Sequence, residues 1–441
     1  MSATDPHHAA HQALHRTIEA VWRIESARVI AGLTRLTRDV GLAEDLAQEA
    51  LVVALEQWPQ SGVPDNPAAW LTATAKRRAI DLFRRNAVAE RKHEELAREL
   101  EAHEQTSPGL DSTLDNTISD DLLRLVFIAC HPILPAESRA ALTLRLLGGL
   151  TTDEIARAFL TPEPTIAQRI VRAKRTLADK HIPFEVPRGT ELAARLSSVL
   201  EVIYLIFNEG YSATTGDDLM RPTLCEDALR LGRILAELTP QEPEVHGLVA
   251  LMEIQASRTR ARVTSTGELV LLFDQNRTHW DQLLIHRGLT AIERAHQIST
   301  SSEINSGRGP YLLQAEIAAC HARARTPSET DWPRIVVLYT ELAQLIPSPV
   351  IELNRAVAVS MAHGPHAGLT LVDALASEPS LARYHLLPSV RADLLYKLGR
   401  HPEARTEFER AAALTRNTRE RDLLLTRAAS CETDPTNPQE K

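Results

Sequence analysis

"TTDEIARAFLTPEPTIAQRIVRAKRTL", residues Thr151–Leu177, places a short helix pattern, a break and a basic helix side by side. Thr151 and Glu154 have the Thr-x-x-Glu spacing of a capping box, which predicts a helix start at that point. Ile155, Ala156 and Phe159 give this helix one apolar face. "LTPEP" then ends it, because two prolines do not fit inside a continuous helix. In the next helix Ile166, Ile170, Ala173 and Leu177 recur at i, i+4, i+7 and i+11 and are expected to face the core. Thr165, Gln168, Arg169, Arg172, Arg175 and Thr176 occupy the opposite side. Arginine pairs bidentately with guanine edges and glutamine with adenine, so this face suits a DNA major groove. Lys174 and Lys180 are placed to engage phosphates. The pair of helices matches a helix-turn-helix. A solvated basic face on an ordinary core helix is the alternative.

The surrounding chain has 441 residues and a formal charge of −9, with 44 % hydrophobic and 24 % charged residues. That is an ordinary globular composition, and the length suits two to four domains. No apolar run is long enough to cross a bilayer, and the N-terminus has no signal-peptide core, so a cytoplasmic protein with no membrane partner is expected. Cys130, Cys225, Cys320 and Cys431 are far apart with no CxxC pair, which argues for free thiols. Charge is segregated. Residues 122–184 carry nine basic and five acidic side chains, whereas 86–121 carry three and ten. A polyanion must therefore be met locally.

Helical patterning runs almost throughout, and the fold expected is all-α; the short "ELVLLF" (268–273) is the exception with a β-type pattern. "GLAEDLAQEALVVALEQW" (41–58) is amphipathic and shows Asp45, Gln48, Glu49 and Glu56 on its polar side. "DNPAAWLTATAKRRAIDLFRR" (65–85) opens with Asn66 as an N-cap and Pro67 at the first helical position. It then carries Trp70, Lys76, Arg77, Arg78, Phe83, Arg84 and Arg85. Cations interleaved with rings suit a single-stranded nucleic acid, although Trp70 and Phe83 read equally well as core residues.

An acidic-faced helix, a basic aromatic helix, a charged linker and a helix-turn-helix, in that order, resemble regions 2 and 4 of an extracytoplasmic-function (ECF) sigma factor of RNA polymerase. "VWRIESARVI", "LIFNEGYSATTGDDL", "GPYLLQAEIAACHARA" and "PSPVIELNRAVAV" extend the resemblance to the group with a long C-terminal extension built like tetratricopeptide repeats (TPR). The resemblance implies a sigma region 2 bundle at 10–86, an acidic linker at 87–117, region 4 at 118–182 and a TPR-like domain at 190–430. It also implies that Asp45, Gln48 and Glu49 dock on core RNA polymerase. Trp70, Lys76, Arg77, Arg78, Arg84 and Arg85 would hold the minus-ten element of promoter DNA. Thr165, Gln168, Arg169, Arg172, Lys174 and Arg175 would read the minus-thirty-five element. Pro164 and Ala167 depart from the residues frequent at those places. The extension would regulate in cis and could carry a protein or peptide partner.

Within the extension, Ala367, Leu371 and Ala374 recur 37 residues later as Ala404, Phe408 and Ala411, each set after a Gly/Pro turn. Such ladders let stacked helical hairpins approach closely, and "ADLLYKLGRHPEARTEFERAAAL" (392–414) resembles a TPR repeat. "EVIYLIFNEGYSATTGDDLMRP" (201–222) ends in Asp217 and Asp218, read as a clamp, a signal pocket or a plain capped loop. His7, His11 and His15 share a helical face, but nothing nearby completes a metal site. No cofactor or metal is expected, and no catalytic constellation is visible. A conventional helix-turn-helix regulator with a TPR sensor and a TPR scaffold remain the competing readings.

Overall fold

The computed structural model describes residues 6–87, 111–159, 161–211, 220–264, 270–301, 308–415 and 417–431. The chain divides into two compact units, Met1–Leu205 and Ile206–Lys441. Among the described residues the architecture is all-α, with nothing longer than an isolated bridge in extended pairing. Val270–Phe273, the described part of the β-patterned run, is turn and loop.

In the first unit, helices α1 (Pro6–Thr37), α2 (Val40–Ser61) and α3 (Pro67–Ala87) pack on one another. Helix α2 starts where the Asp39 carboxylate accepts from Gly41 N at 2.7 Å and Leu42 N at 3.0 Å. Ala43, Ala47, Ala50 and Ala54 are all buried along one side of it, and small side chains at that spacing admit a close neighbour. Helix α3 starts as its sequence indicates: Asn66 Oδ1 accepts from Ala69 N at 3.0 Å and Pro67 is the first helical residue.

The rest of the unit comprises α4 (Asp111–Ala129), α5 (Ala136–Leu146), α6 (Thr152–Ala158), α7 (Glu163–Asp179) and the beginning of α8 (Thr190–Tyr211). The capping box of α6 is complete. Thr151 Oγ1 accepts from Glu154 N at 3.1 Å, while Thr151 N donates to the Glu154 carboxylate at 2.8 Å. Between α5 and α6, Gly149 has φ +70°, and a Cβ there would come within 2.9 Å of Ser26 Oγ on α1. Only glycine fits that turn without strain. Helix α8 packs on the preceding helices at once. Arg195 donates to Phe127 O at 2.9 Å, Ser198 Oγ donates to Cys130 O at 2.6 Å, and Arg139 binds Ser198 and, at 3.1 Å, Glu201. The division into units falls inside α8, after these contacts and later than the proline-rich join at 182–189.

The second unit continues with α9 (Pro222–Leu238), α10 (Pro243–Ser257), α11 (Gln282–Ser301), α12 (Pro310–Arg323), α13 (Trp332–Leu345), α14 (Pro349–His363), α15 (Pro365–Ala374), α16 (Leu386–Lys397), α17 (His401–Leu414) and α18 (Thr418–Ser430). From α13 onward each helix packs chiefly on its neighbours in sequence, forming successive antiparallel hairpins. Ala404, Phe408 and Ala411 are buried in this stack as their spacing predicts. The earlier ladder is shifted. Ala374 is exposed, and Gly368, Leu369 and Val372 form the buried edge of α15. Gly368 lies so close to Ser360 of α14 that a Cβ would collide with it, so the tightest approach uses the glycine and not Ala367. Asp217 and Asp218 lie outside the described residues. All four cysteines are free and buried. No helix among the described residues is long and apolar enough to cross a membrane.

Candidate nucleic-acid and docking interface

Helix α7 buries the stripe its periodicity indicates: Ile166, Ile170, Ala173 and Leu177 are all inside. On the far side Gln168 and Arg172 are exposed, and neither makes an ion pair or side-chain hydrogen bond with a described residue. Arg175 projects outward beside Asp179 at 3.5 Å, with its side chain 81 % exposed. Val171 stands between them, 62 % exposed. Val171 belongs to neither stripe drawn from the sequence, and its spacing of three from Gln168 places it on the outer face. Thr165 is half-buried at the start of the helix.

The flanks of α7 are held by acidic partners. Arg169 is ion-paired with Glu137 of α5. Lys174 is ion-paired with Glu44 of α2 and lies 3.6 Å from Asp45. Glu44 is 3 % exposed. It also accepts from Arg145 Nε at 2.7 Å and from Gln48 Nε2, and Arg145 reaches Leu150 O at 3.1 Å as well. A carboxylate out of water is tolerated when its oxygens are filled by cations and donors, as they are here. Lys174 is therefore turned toward α2 and not presented with Gln168 and Arg172. Two further bridges tie the helix-turn-helix part to α1. Arg23 pairs with Glu154 at 2.6 Å, and Arg35 pairs at 3.2 Å with Asp121 of α4. Burial pushes the Asp121 carboxyl above its ordinary range, against the pull of Arg35 and Arg124.

Of the docking candidates, Asp45 is exposed beside Lys174, Gln48 is half-buried against Glu44, and Glu49 is exposed and paired with Arg78 at 2.7 Å. A cavity of about 670 Å3 opens beside them, lined in part by Trp22, Gln48, Leu51, Val52, Arg145 and Glu154.

On α3, Trp70, Arg77 and Arg84 recur every seven residues on the side away from buried Leu71, Ala75, Ala79 and Phe83. Trp70 is half-buried and meets buried Trp58 edge-on, with ring centroids 5.2 Å apart. Phe83 belongs to the core. Arg77 is exposed and pairs with no described residue, and Arg84 is exposed. Arg78 and Arg85 form a second stripe; Arg85 Nε donates to Asp81 O at 3.2 Å. Lys76 is half-buried on the other flank. Sequence reasoning missed the partners across the unit, Glu44 and Arg145 above all. No local pattern marks residues 101 positions apart as neighbours. Among the described residues no group of side chains is arranged to hold a metal ion.

Residues 23–88 match the family model for sigma-70 region 2, and residues 124–177 match that for sigma-70 region 4. An ECF RNA polymerase sigma factor, SigK of Mycobacterium ulcerans, is 31 % identical over 154 residues, covering 34 % of this chain and 78 % of the relative. The chain belongs to the ECF sigma factor family. A probable ECF sigma factor, SigI of Mycobacterium tuberculosis, is 25 % identical over 172 residues, which are 39 % of this chain and 58 % of that relative. This ECF sigma factor also carries an extension, since residues 195–296 match a family of unknown function (DUF6596). An uncharacterized protein of Rhizobium meliloti is 44 % identical over 395 residues, covering 89 % of this chain and 90 % of its own.

Proposed function

We propose that the chain directs promoter-specific initiation by core RNA polymerase, with α7 reading the minus-thirty-five duplex through Gln168, Val171, Arg172 and Arg175. The outward stripe of α7 carries this reading. It sets a guanine reader, an adenine reader and an apolar contact for a thymine methyl on one face of a helix that fits the major groove. Arg169 flanks this face and reaches DNA by exchanging Glu137 for a phosphate or base. Trp70, Lys76, Arg77 and Arg84, with Arg78 and Arg85 alongside, hold the displaced minus-ten strand, where cations track phosphates and the ring offers a stacking surface. Asp45, Gln48 and Glu49 dock on the polymerase, and charge complementarity there sets register and on-rate. Docking at Asp45 competes with Lys174 for that carboxylate, and Lys174 reaches a phosphate only after release from Glu44.

The extension acts in cis. Its first helix covers the carbonyls of Phe127 and Cys130, at and just past the end of α4, and binds Arg139 of α5, which supports an integral role in place of a removable plug. In vitro transcription with core polymerase and genomic fragments tests the whole reading. Gln168→Ala with Arg172→Ala is expected to lose minus-thirty-five selection, each bidentate contact being worth about 1–3 kcal/mol of discrimination. Unchanged promoter selection would sink the recognition face. A 1–189 truncation is expected to transcribe less than the full chain, and higher activity from it would leave autoinhibition instead.

A further inference from the structure

The hairpins of the second unit enclose a cavity of about 690 Å3 that the promoter-binding reading does not use. Its size falls among small-molecule sites, about 300–1,000 Å3. Every lining residue belongs to the second unit. One wall is aromatic: Phe273 stacks on Trp332 with centroids 5.8 Å apart, and His321 meets the same indole edge-on at 5.2 Å. Phe273 is 40 % exposed, so part of its ring is open to a molecule entering the cavity.

The polar groups of the cavity fall into two sets. In the charged set Asp393 is clasped by Lys397 at 2.8 Å and by Arg427 at 2.5 Å, and Asp274 is solvent-exposed. Burial works to raise the Asp393 carboxyl, but hydrogen bonds from these two cations hold it below its ordinary range. The second set is unclaimed. His321 Nδ1 is buried without a hydrogen-bond partner among the described residues. The side chains of Asn354 and Ser389, which also line the cavity, hydrogen-bond to no described residue. Burial, with Arg258 and Arg277 nearby, pushes the His321 imidazole down to about 4, so it is uncharged at neutral pH and offers one donor and one acceptor.

A carboxylate ligand would have to take Lys397 or Arg427 from Asp393 and leave that half-buried acid underpaired. For an ammonium ligand the one lining carboxylate that pairs with no described residue is Asp274, which is solvent-exposed, so water screens it from a charge inside. Neither charge would gain a free buried partner, which is costly in an apolar surround. We propose that this cavity is a binding site for an uncharged, planar aromatic small molecule that stacks on Trp332 and Phe273 and hydrogen-bonds with His321, Asn354 or Ser389.

Calorimetric titration of the full chain tests this with three probes of one shape: neutral 2-naphthamide, anionic 2-naphthoate and cationic 2-naphthylmethylammonium. Saturable one-to-one binding of 2-naphthamide is expected, with both charged probes weaker by roughly tenfold or more. Ser389→Trp, which fills the cavity, and Asn354→Trp, an exposed change at its edge, should each reduce 2-naphthamide affinity at least roughly tenfold, with circular dichroism confirming the fold. Absence of saturable 2-naphthamide binding, tighter binding of either charged probe, or unchanged affinity in both variants would overturn the site.

Discussion

Helices α3 and α7 start from the same sequence logic and meet different fates. Each buries one apolar stripe and carries arginines on the other side. On α3 Arg77 and Arg84 are exposed, Trp70 is half-buried against Trp58, and the one tie to another helix that Arg78 makes is an exposed pair with Glu49. On α7 the outward stripe is narrower, because Arg169 and Lys174 on its two flanks are taken by Glu137 and Glu44. Periodicity tells which side of a helix faces away from its own core. What happens at the edges depends on elements that arrive from elsewhere in the chain.

The tether of α7 is expected to break with the largest effect. Glu44→Ala leaves Arg145 and Lys174 facing each other with little access to water, and removing one partner of a buried ion cluster costs about 3–5 kcal/mol. Urea unfolding of the full chain measures it, and a loss below about 1 kcal/mol would mean the cluster is solvated. Next comes the division within α7 itself. Arg172→Ala should weaken binding to a minus-thirty-five duplex by about 1–3 kcal/mol. Lys174→Ala should leave that affinity nearly unchanged in the free protein; equal losses would erase the distinction between stripe and flank.

A smaller effect concerns the platform under α7, which α3 lacks. His131 lies between α4 and α5. Burial, followed by Arg195, pushes its imidazole down to about 4, and its Nδ1 accepts from Ile133 N at 3.1 Å. An unfolded histidine titrates near 6.5, so the unfolded chain binds more protons between roughly pH 6.5 and 4. Stability is therefore expected to fall as pH drops through that window. The loss in urea midpoint between pH 7 and 5 should shrink in His131→Gln, and an unaltered loss would remove His131 as its cause. The smallest change is on α3: Arg78→Ala deletes an exposed pair worth about 0.2–1 kcal/mol, with a midpoint shift near the limit of detection.

These contrasts mark what the sequence makes legible. The capping box at Thr151 and Glu154, the Asn66–Pro67 start, the buried stripe of α7 and the ladder Ala404, Phe408 and Ala411 are all local patterns, and all are present. Glu44 reads locally as an acid favouring a helix N-terminus. Its burial follows from Arg145 and Lys174, which only tertiary packing brings to it. The register of α15 escaped for a similar reason, since Gly368 is selected by a collision with Ser360 on another helix. Val171 was hidden by its chemistry, an apolar side chain on a polar face. The aromatic cavity likewise draws on six separate segments, none of them distinctive alone.

Helix α8 gives the gene a seam without a clean edge. Its first turns cover the carbonyls of Phe127 and Cys130, and its later residues Ile206 and Phe207 are buried in the second unit. A fission event at the proline-rich join would strip Arg139 of its partners and expose apolar surface on both products at once. Recombination can exchange cassettes freely only where few contacts are severed. Here a cut at the join would leave α4 and α5 without the hydrogen-bond partners that α8 supplies.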